Sequence, residues 1–442
     1  MKTDETMVNA FVPGAANLNP EDAALIKRRR ALLGPAYRLF YANPVHLVRG
    51  EGVWLYDKDD NAYLDTYNNV ASVGHCHPHV VAAMARQAGI LTSHTRYLHN
   101  GVLAYAEKLL ATFPSELGHV MFTCTGSEAN DLALRIARAH TGGTGFIVTE
   151  NAYHGVTLAV AGMSPSLGQG VDLGGHVRTV PAPDSNRGGG DVGATFAADV
   201  QAAVDDMTRH GIRPAGLIVD TVFSSDGVFT DPKGFLTEAV AAIRAAGGLF
   251  IADEVQPGFG RTGDAMWGFE RHGLIPDMVS LGKPMGNGYP VAGLVMQPRV
   301  VAEFGAKVRY FNTYGGNATA AATAMAVLEV IQSERLQENA RIVGGYFRDG
   351  LNELARHHEC IGDVRAAGLF LGVELVSDRV TMKPDAARTN RVVNALREAR
   401  ILISATGPRA NILKIRPPLV FSKANVDLFI ECFNRVLTAV RE

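Results

Sequence analysis

The residues in this sequence best placed to do chemistry are an acid and a lysine that end two apolar runs. Leu249-Phe250-Ile251-Ala252 leads into Asp253-Glu254, and Met278-Val279-Ser280-Leu281 leads into Gly282-Lys283. Short apolar runs of this kind suit buried strands. The carboxyl ends of strands in an α/β sheet are where ligands sit. A carboxylate and an amine placed there suggest a site. The alternative is an ion pair between two strand ends, and one acid with one lysine is a weak signal against it.

The chemistry that fits is that of pyridoxal 5′-phosphate (PLP). Its aldehyde needs a lysine amine to form a Schiff base. Its pyridine nitrogen must stay protonated for the ring to draw electrons, and a neighbouring carboxylate raises that nitrogen's pKa. Lys283 and Asp253 could fill these roles. Glycines on both sides of Lys283 let backbone approach a bulky cofactor, and Pro284 favours an extended Lys283. Upstream, the turn Thr123-Cys124-Thr125-Gly126-Ser127 feeds a helix, so its free N–H groups and dipole could face an anion. An ordinary Ser N-cap reads the same way. Tyr153 could stack on a flat ring with His154 in support, although such a pair is usually structural. Thr313 lies in a second Gly-rich turn before a helix. Phe40, Tyr41 and Tyr67 suit a pocket lining or a small packed core equally.

These residues need a scaffold. Predicted strands at 145–149, 216–220 and 291–296 alternate with helices at 197–210 and 236–248, which predicts a mainly parallel sheet with helices on both faces. VWLYD and AYLD around the turn 58–61 predict a hairpin. Further helices are expected at 21–34, 101–113, 334–357, 386–399 and 423–440, with Gly-punctuated strands at 362–376. The expected organisation is an arm and part of a small domain over 1–70, a large PLP-binding domain over 71–330, and the rest of a small α+β domain over 331–442. Residues 185–193 (SNRGGGDVG) read as the most loop-like stretch.

Composition excludes several classes. A formal net charge of −2 gives no electrostatic case for nucleic acid or membrane partners. No apolar run reaches 18 residues, so no membrane span is expected, and the N-terminus lacks the pattern of a secretory signal. Four scattered cysteines (Cys76, Cys124, Cys360, Cys432) suit reduced thiols in a cytoplasmic protein. His75-Cys76-His77 and His79 look like metal ligands, but alternate residues on a short extended piece rarely converge on one ion, so no metal is expected.

Six motifs in order, GHCHP, TGSEAN, AYHG, ADEVQPGFGRTG, GKPMGNG and FNTYGGN, resemble those of class III aminotransferases of PLP fold type I, and the resemblance spans about residue 38 to the end. It implies an α/β fold with a large domain and a small domain built from both termini. It also implies that Lys283 carries the cofactor, Asp253 pairs with the ring nitrogen, Gln256 lies near the ring hydroxyl, Tyr153 stacks on the ring, and Gly126 and Ser127 hold the phosphate. Thr313 is expected to reach the cofactor of a neighbouring subunit, which implies a homodimer with shared sites, or a tetramer of such pairs. Within the family, NNVASVGHCHP, TRYLHN and SATGPRANILKIRPP resemble the ethanolamine-phosphate phospho-lyases, a branch that also holds plain aminotransferases.

Three positions depart from the family pattern: Cys124-Thr125, Asp220 and Ala318. Lys414 stands where relatives acting on α-amino acids carry the carboxylate-binding Arg, with Arg416 two residues on. Lysine is a point charge and arginine a bidentate fork, so Lys414 suits phosphate or sulfonate at least as well as carboxylate; a solvent-edge lysine is the alternative. Tyr41, Asp220, Lys414 and Arg416 are the expected substrate contacts. The leading expectation is an aminotransferase moving an amino group from an amine or amino acid, of ω-amino type, to a keto acid such as pyruvate. The alternative is a lyase removing phosphate and ammonia from a phosphorylated amino alcohol. A PLP-binding regulatory protein is the third reading.

Overall fold

The computed structural model describes residues 7, 9–14, 18–187 and 190–440. Its centre is a seven-stranded sheet. The strands lie in the order His119–Thr123, Ala292–Met296, Met278–Leu281, Leu249–Asp253, Pro214–Asp220, Gly145–Thr149 and Val177–Val180. Within this sheet only Ala292–Met296 runs against its neighbours. Both faces are covered, which is why the strands read as continuous apolar runs. Alternation still shows in where side chains go. Phe250 and Ala252 join the core on one face, with Leu217, Val219, Val279 and Leu281. Leu249 and Ile251 join the other, with Ile218, Met278, Leu294 and the buried side of the Gly126–Thr141 helix.

The expected hairpin is present, with Trp54–Asp57 antiparallel to Ala62–Asp65. Ile401–Leu402 then adds in parallel to Ala62–Asp65, so both ends of the chain share one four-stranded sheet. A second small sheet joins Ile361–Ala367, Phe370–Asp378, Ile412–Ile415 and Ser404–Thr406, with Lys383–Pro384 on the side. The architecture is the expected α/β fold, a large sheet-and-helix unit with a smaller one.

Helix ends moved where caps decided them. The helix expected at 197 starts at Val192, because the Asp191 side chain accepts from the N–H groups of Gly193 and Ala194. Sequence reading passed over the edge strand Val177–Val180 and the helices Pro78–Ala88 and Pro298–Lys307. Part of the loop expected at 185–193, residues 188–189, lies outside the described residues, as do residues 1–6, 8 and 15–17 of the N-terminal arm. The clustered histidines face three separate carboxylates: His75 meets Asp65, His77 meets Glu334 and His79 meets Glu329.

Candidate active site

Adjacent strands set the acid and the lysine. Asp253 ends Leu249–Asp253 and is in register with Asp220 on one side and Ser280 on the other. Lys283 follows the end of Met278–Leu281. Pro284 does not hold Lys283 extended, as expected from sequence. Lys283 has φ 25° and opens a 3-10 turn, Lys283–Gly286. That conformation is sparsely populated for a non-glycine residue and persists only where surroundings enforce it. Asn287 is one such constraint: its side chain accepts from Val73 N–H and donates to Gly74 O.

Asp253 is buried. Its Oδ2 accepts from His154 Nδ1 at 2.7 Å and from Asn130 Nδ2 at 3.0 Å, and its Oδ1 accepts from Val255 N–H at 3.1 Å. Burial alone would raise its pKa, but His154, Asn130 and Lys283 outweigh that and hold the carboxyl below its usual range. A carboxylate so held stays anionic and can face a cation. Lys283 experiences the opposite balance. Burial first, then the Arg416 charge, lower its pKa to about 8 against the pull of Asp253 and Asp220. The neutral amine, which is the nucleophile, is therefore well populated near neutrality.

The anion cradle lies beside them. Thr125, not Ser127, caps the Gly126–Thr141 helix, its hydroxyl accepting from Glu128 N–H. Ser127 Oγ instead accepts from Val156 N–H at 3.1 Å, tying the helix start to the loop after His154. Gly155 allows that approach: it has φ 142°, and a Cβ there would sit 2.4 Å from Ser127 Oγ. Gly126 packs closely, though less tightly, on Val255, where a Cβ would meet a methyl at 3.0 Å. One cavity is lined by Gly126, Ser127, Tyr153, His154, Gly155, Asp220, Asp253, Val255, Gln256 and Lys283. His154 Nε2 and Asn130 Oδ1 are buried there without a hydrogen-bond partner.

Two basic residues expected to contact substrate, Arg416 and Lys414, are buried but are not among the residues that line the cavity. Arg416 is buried over the face of Tyr67, 4.4 Å from the ring centre, and donates to Asn69 Oδ1 and Gln256 Oε1. Gln256 passes the chain on to Ser224 Oγ. Lys414, on Ile412–Ile415, is 6% exposed. Burial, Arg416 and Lys283 depress its pKa, while Asp220 and Asp226 act in the other direction. Asp220 is turned to its own loop, accepting from Val222 and Ser224 N–H, and burial raises its pKa.

Two other expected contacts also lie outside the lining. The Tyr41 hydroxyl is buried between the backbone N–H and C=O of Ile403 and does not line the cavity. Thr313 is exposed on a loop outside it. Sequence reading gave no role to Asn130, Ser224 or Asp226. Asn130 was legible as the last residue of TGSEAN, four residues from Gly126. Asp226, which accepts from Thr149 Oγ1 and Asn151 N–H, carried no local signal.

A family model described as "Aminotransferase class-III" matches residues 40–437. The chain belongs to the class III aminotransferases. As a member of that family it is a PLP-dependent enzyme, and the buried carboxylate, the lysine of lowered pKa and the glycine-lined helix start all fit PLP. The chain is 41% identical to a Drosophila melanogaster protein described as "Alanine--glyoxylate aminotransferase 2-like", over 94% of this chain and 87% of that one. It is 37% identical to "Ethanolamine-phosphate phospho-lyase homolog 1" of Caenorhabditis elegans, over 94% and 93%. Among solved structures, an Arthrobacter phospholyase in complex with phosphoethanolamine is 40% identical with a TM-score of 0.91, covering 94% of this chain and 99% of that one. Relatives of this class III enzyme thus divide between transaminases and phospho-lyases. Among the described residues no helix is long and apolar enough to cross a membrane.

Proposed function

We propose that this class III enzyme is a phospho-lyase that releases phosphate and ammonia from a phosphorylated amino alcohol, phosphoethanolamine being the first substrate to test. The observation that carries this reading is the buried pair Lys414 and Arg416, with Arg416 bonded to Gln256 of the cavity lining. Arg416 has only neutral partners in Asn69 and Gln256, and Asp220 is turned to backbone N–H groups. A buried arginine with neutral partners beside a buried lysine matches a dianionic phosphate better than a single carboxylate. The likeness to the Arthrobacter phospholyase and the nematode phospho-lyase homologue supports the same choice over the aminotransferase expected first.

This reading assigns the residue roles. When bound, PLP supplies an aldehyde for amines and a ring that draws electrons from the substrate's Cα. Lys283 is the amine that holds the cofactor and moves the Cα proton. Asp253, fixed by His154 and Asn130, holds the ring nitrogen cationic. Tyr153 would cover the ring, Gln256 would lie near the ring hydroxyl, and Gly126 and Ser127 would receive the cofactor phosphate. Lys414 and Arg416 receive the substrate phosphate. The enzyme works as a homodimer, with exposed Thr313 serving the neighbour's site.

Phosphate release from phosphoethanolamine by the holoenzyme, with no keto acid present, tests the reading. Many turnovers are expected. A single turnover that stops until pyruvate is added would instead establish transamination, the reading favoured by the likeness to the Drosophila protein.

A further inference from the structure

We propose that Lys414 is the acid that protonates the departing phosphate, a catalytic role beyond binding it. The inference rests on the phospho-lyase reading.

The first observation is an unmatched charge. Three arginines of this region have identified partners. Arg365 and Arg187 share Glu374, and Arg416 holds Asn69 and Gln256. Lys414 is buried on the same sheet, in register with Gly372 and Ser404, and no carboxylate among the described residues lies within ion-pair distance of it. Removing a cation from water without a partner is expensive. A ligand anion or loss of the proton relieves that cost, and a proton donor to an anion uses both.

The second observation is where Lys414 faces. The charged groups around it are Arg416 just past the end of its strand, Asp220 at the end of Pro214–Asp220, Asp226 in the following loop, and Lys283. Asp220 and Lys283 line the cavity. Arg416, two residues on, bonds Gln256 of that lining, which sets Lys414 beside the cavity. Burial and the two cations ease release of its proton. An arginine could bind the same anion but would not give up a proton, whereas a buried lysine does.

Elimination needs such a donor. Lys283 takes the Cα proton, the pair left on Cα closes the Cα–Cβ double bond, and the Cβ–O bond breaks with its pair going to oxygen. From a dianionic ester the leaving group would be the trianion. A proton from Lys414 Nζ makes it hydrogen phosphate and leaves Lys414 as a neutral amine, which solvent reprotonates.

The test compares two leaving groups on Lys414→Arg: phosphoethanolamine, whose leaving group needs a proton, and 2-chloroethylamine, whose chloride does not. We expect KM for phosphoethanolamine to stay within about threefold, kcat for phosphate release to fall about 100-fold or more, and chloride release to hold within about threefold. An unchanged kcat for phosphate, or equal losses on both substrates, overturns the acid role. A measurement on the unaltered holoenzyme stands without the variant: kcat for phosphate release should fall at high pH while chloride release does not. Matching profiles overturn the proposal. Failure of the unaltered enzyme to release phosphate, with intact chloride elimination, removes the phospho-lyase reading and the acid role with it.

Discussion

Asp253 accepts three hydrogen bonds but faces the cavity with its charge intact, because only one donor, His154, can itself become cationic. Its value lies in charge more than shape. Asp253→Asn keeps the size and removes the anion, so kcat at saturating PLP should fall about 100-fold or more; activity within tenfold of the parent would show that the ring nitrogen needs no anion here. Lys283 makes a pH prediction. The neutral amine captures an aldehyde and the ammonium does not. With a pKa near 8, the rate of PLP capture by apoprotein should climb about tenfold per pH unit up to about pH 8 and then level. A profile still climbing to about pH 10, as for an ordinary lysine, would contradict it. At this scale Lys283 and Asp253 stood out by type and by position after strands, whereas Gly126, Ser127 and Tyr153, which line the same cavity, stood out through the family motifs. Asp226 and Ser224 did not, since their relevance comes from a fold-back of the loop after Asp220 that spacing alone does not encode. Tyr41 misled for the opposite reason: an aromatic hydroxyl suits a pocket, but two backbone groups of Ile403 claim it.

Elements place these residues through a few tight contacts. The start of the Gly126–Thr141 helix can face the cofactor only while Gly155 lets Ser127 approach. Gly155→Ala puts a methyl 2.4 Å from Ser127 Oγ in a backbone conformation alanine disfavours. The expected result is weaker PLP binding, with the dissociation constant raised about tenfold or more, read by titration; one methyl-sized clash of about 1–3 kcal/mol is enough for that. Glu254 has a quieter task. Wholly buried, it accepts from Gly268 and Phe269 N–H and from Thr221 Oγ1, and so pins the turn Gly268–His272. Glu254→Gln sets an amide N–H against one of these donors and should cost about 1–3 kcal/mol in chemical denaturation. Strands around the site were readable because both faces are apolar. The edge strand Val177–Val180 was not, because two of its four residues are only partly covered and its pattern is too short to stand out.

On the scale of the whole molecule, the exposed loop bearing Thr313 adjoins apolar side chains that a lone chain would leave in water. Tyr97 is 70% exposed, Leu98 is 98% and Tyr314 is 70%, and the Tyr97 ring stacks on His94, which meets Phe311 edge-on. Such a face suits a second copy of the chain. Leu98→Glu should lower the dimer fraction in sedimentation and take PLP retention down with it, whereas full retention by a monomer would remove Thr313 from the site. The division into a large and a small unit was readable from the change of texture along the chain, but the seam between the chain ends was not. Ala62–Asp65 takes its second partner strand from Ile401–Leu402, and the Thr66 hydroxyl donates to Leu402 O across 336 residues. On the ribosome this seam stays open while those residues are made, which at usual elongation rates is roughly 20–70 s. Through that interval the hairpin edge is an unpaired template exposed to neighbouring nascent chains. A stop codon that removed the chain from Ile401 onward would therefore be felt first at the opposite end of the polypeptide, as aggregation seeded by its N-terminal strands.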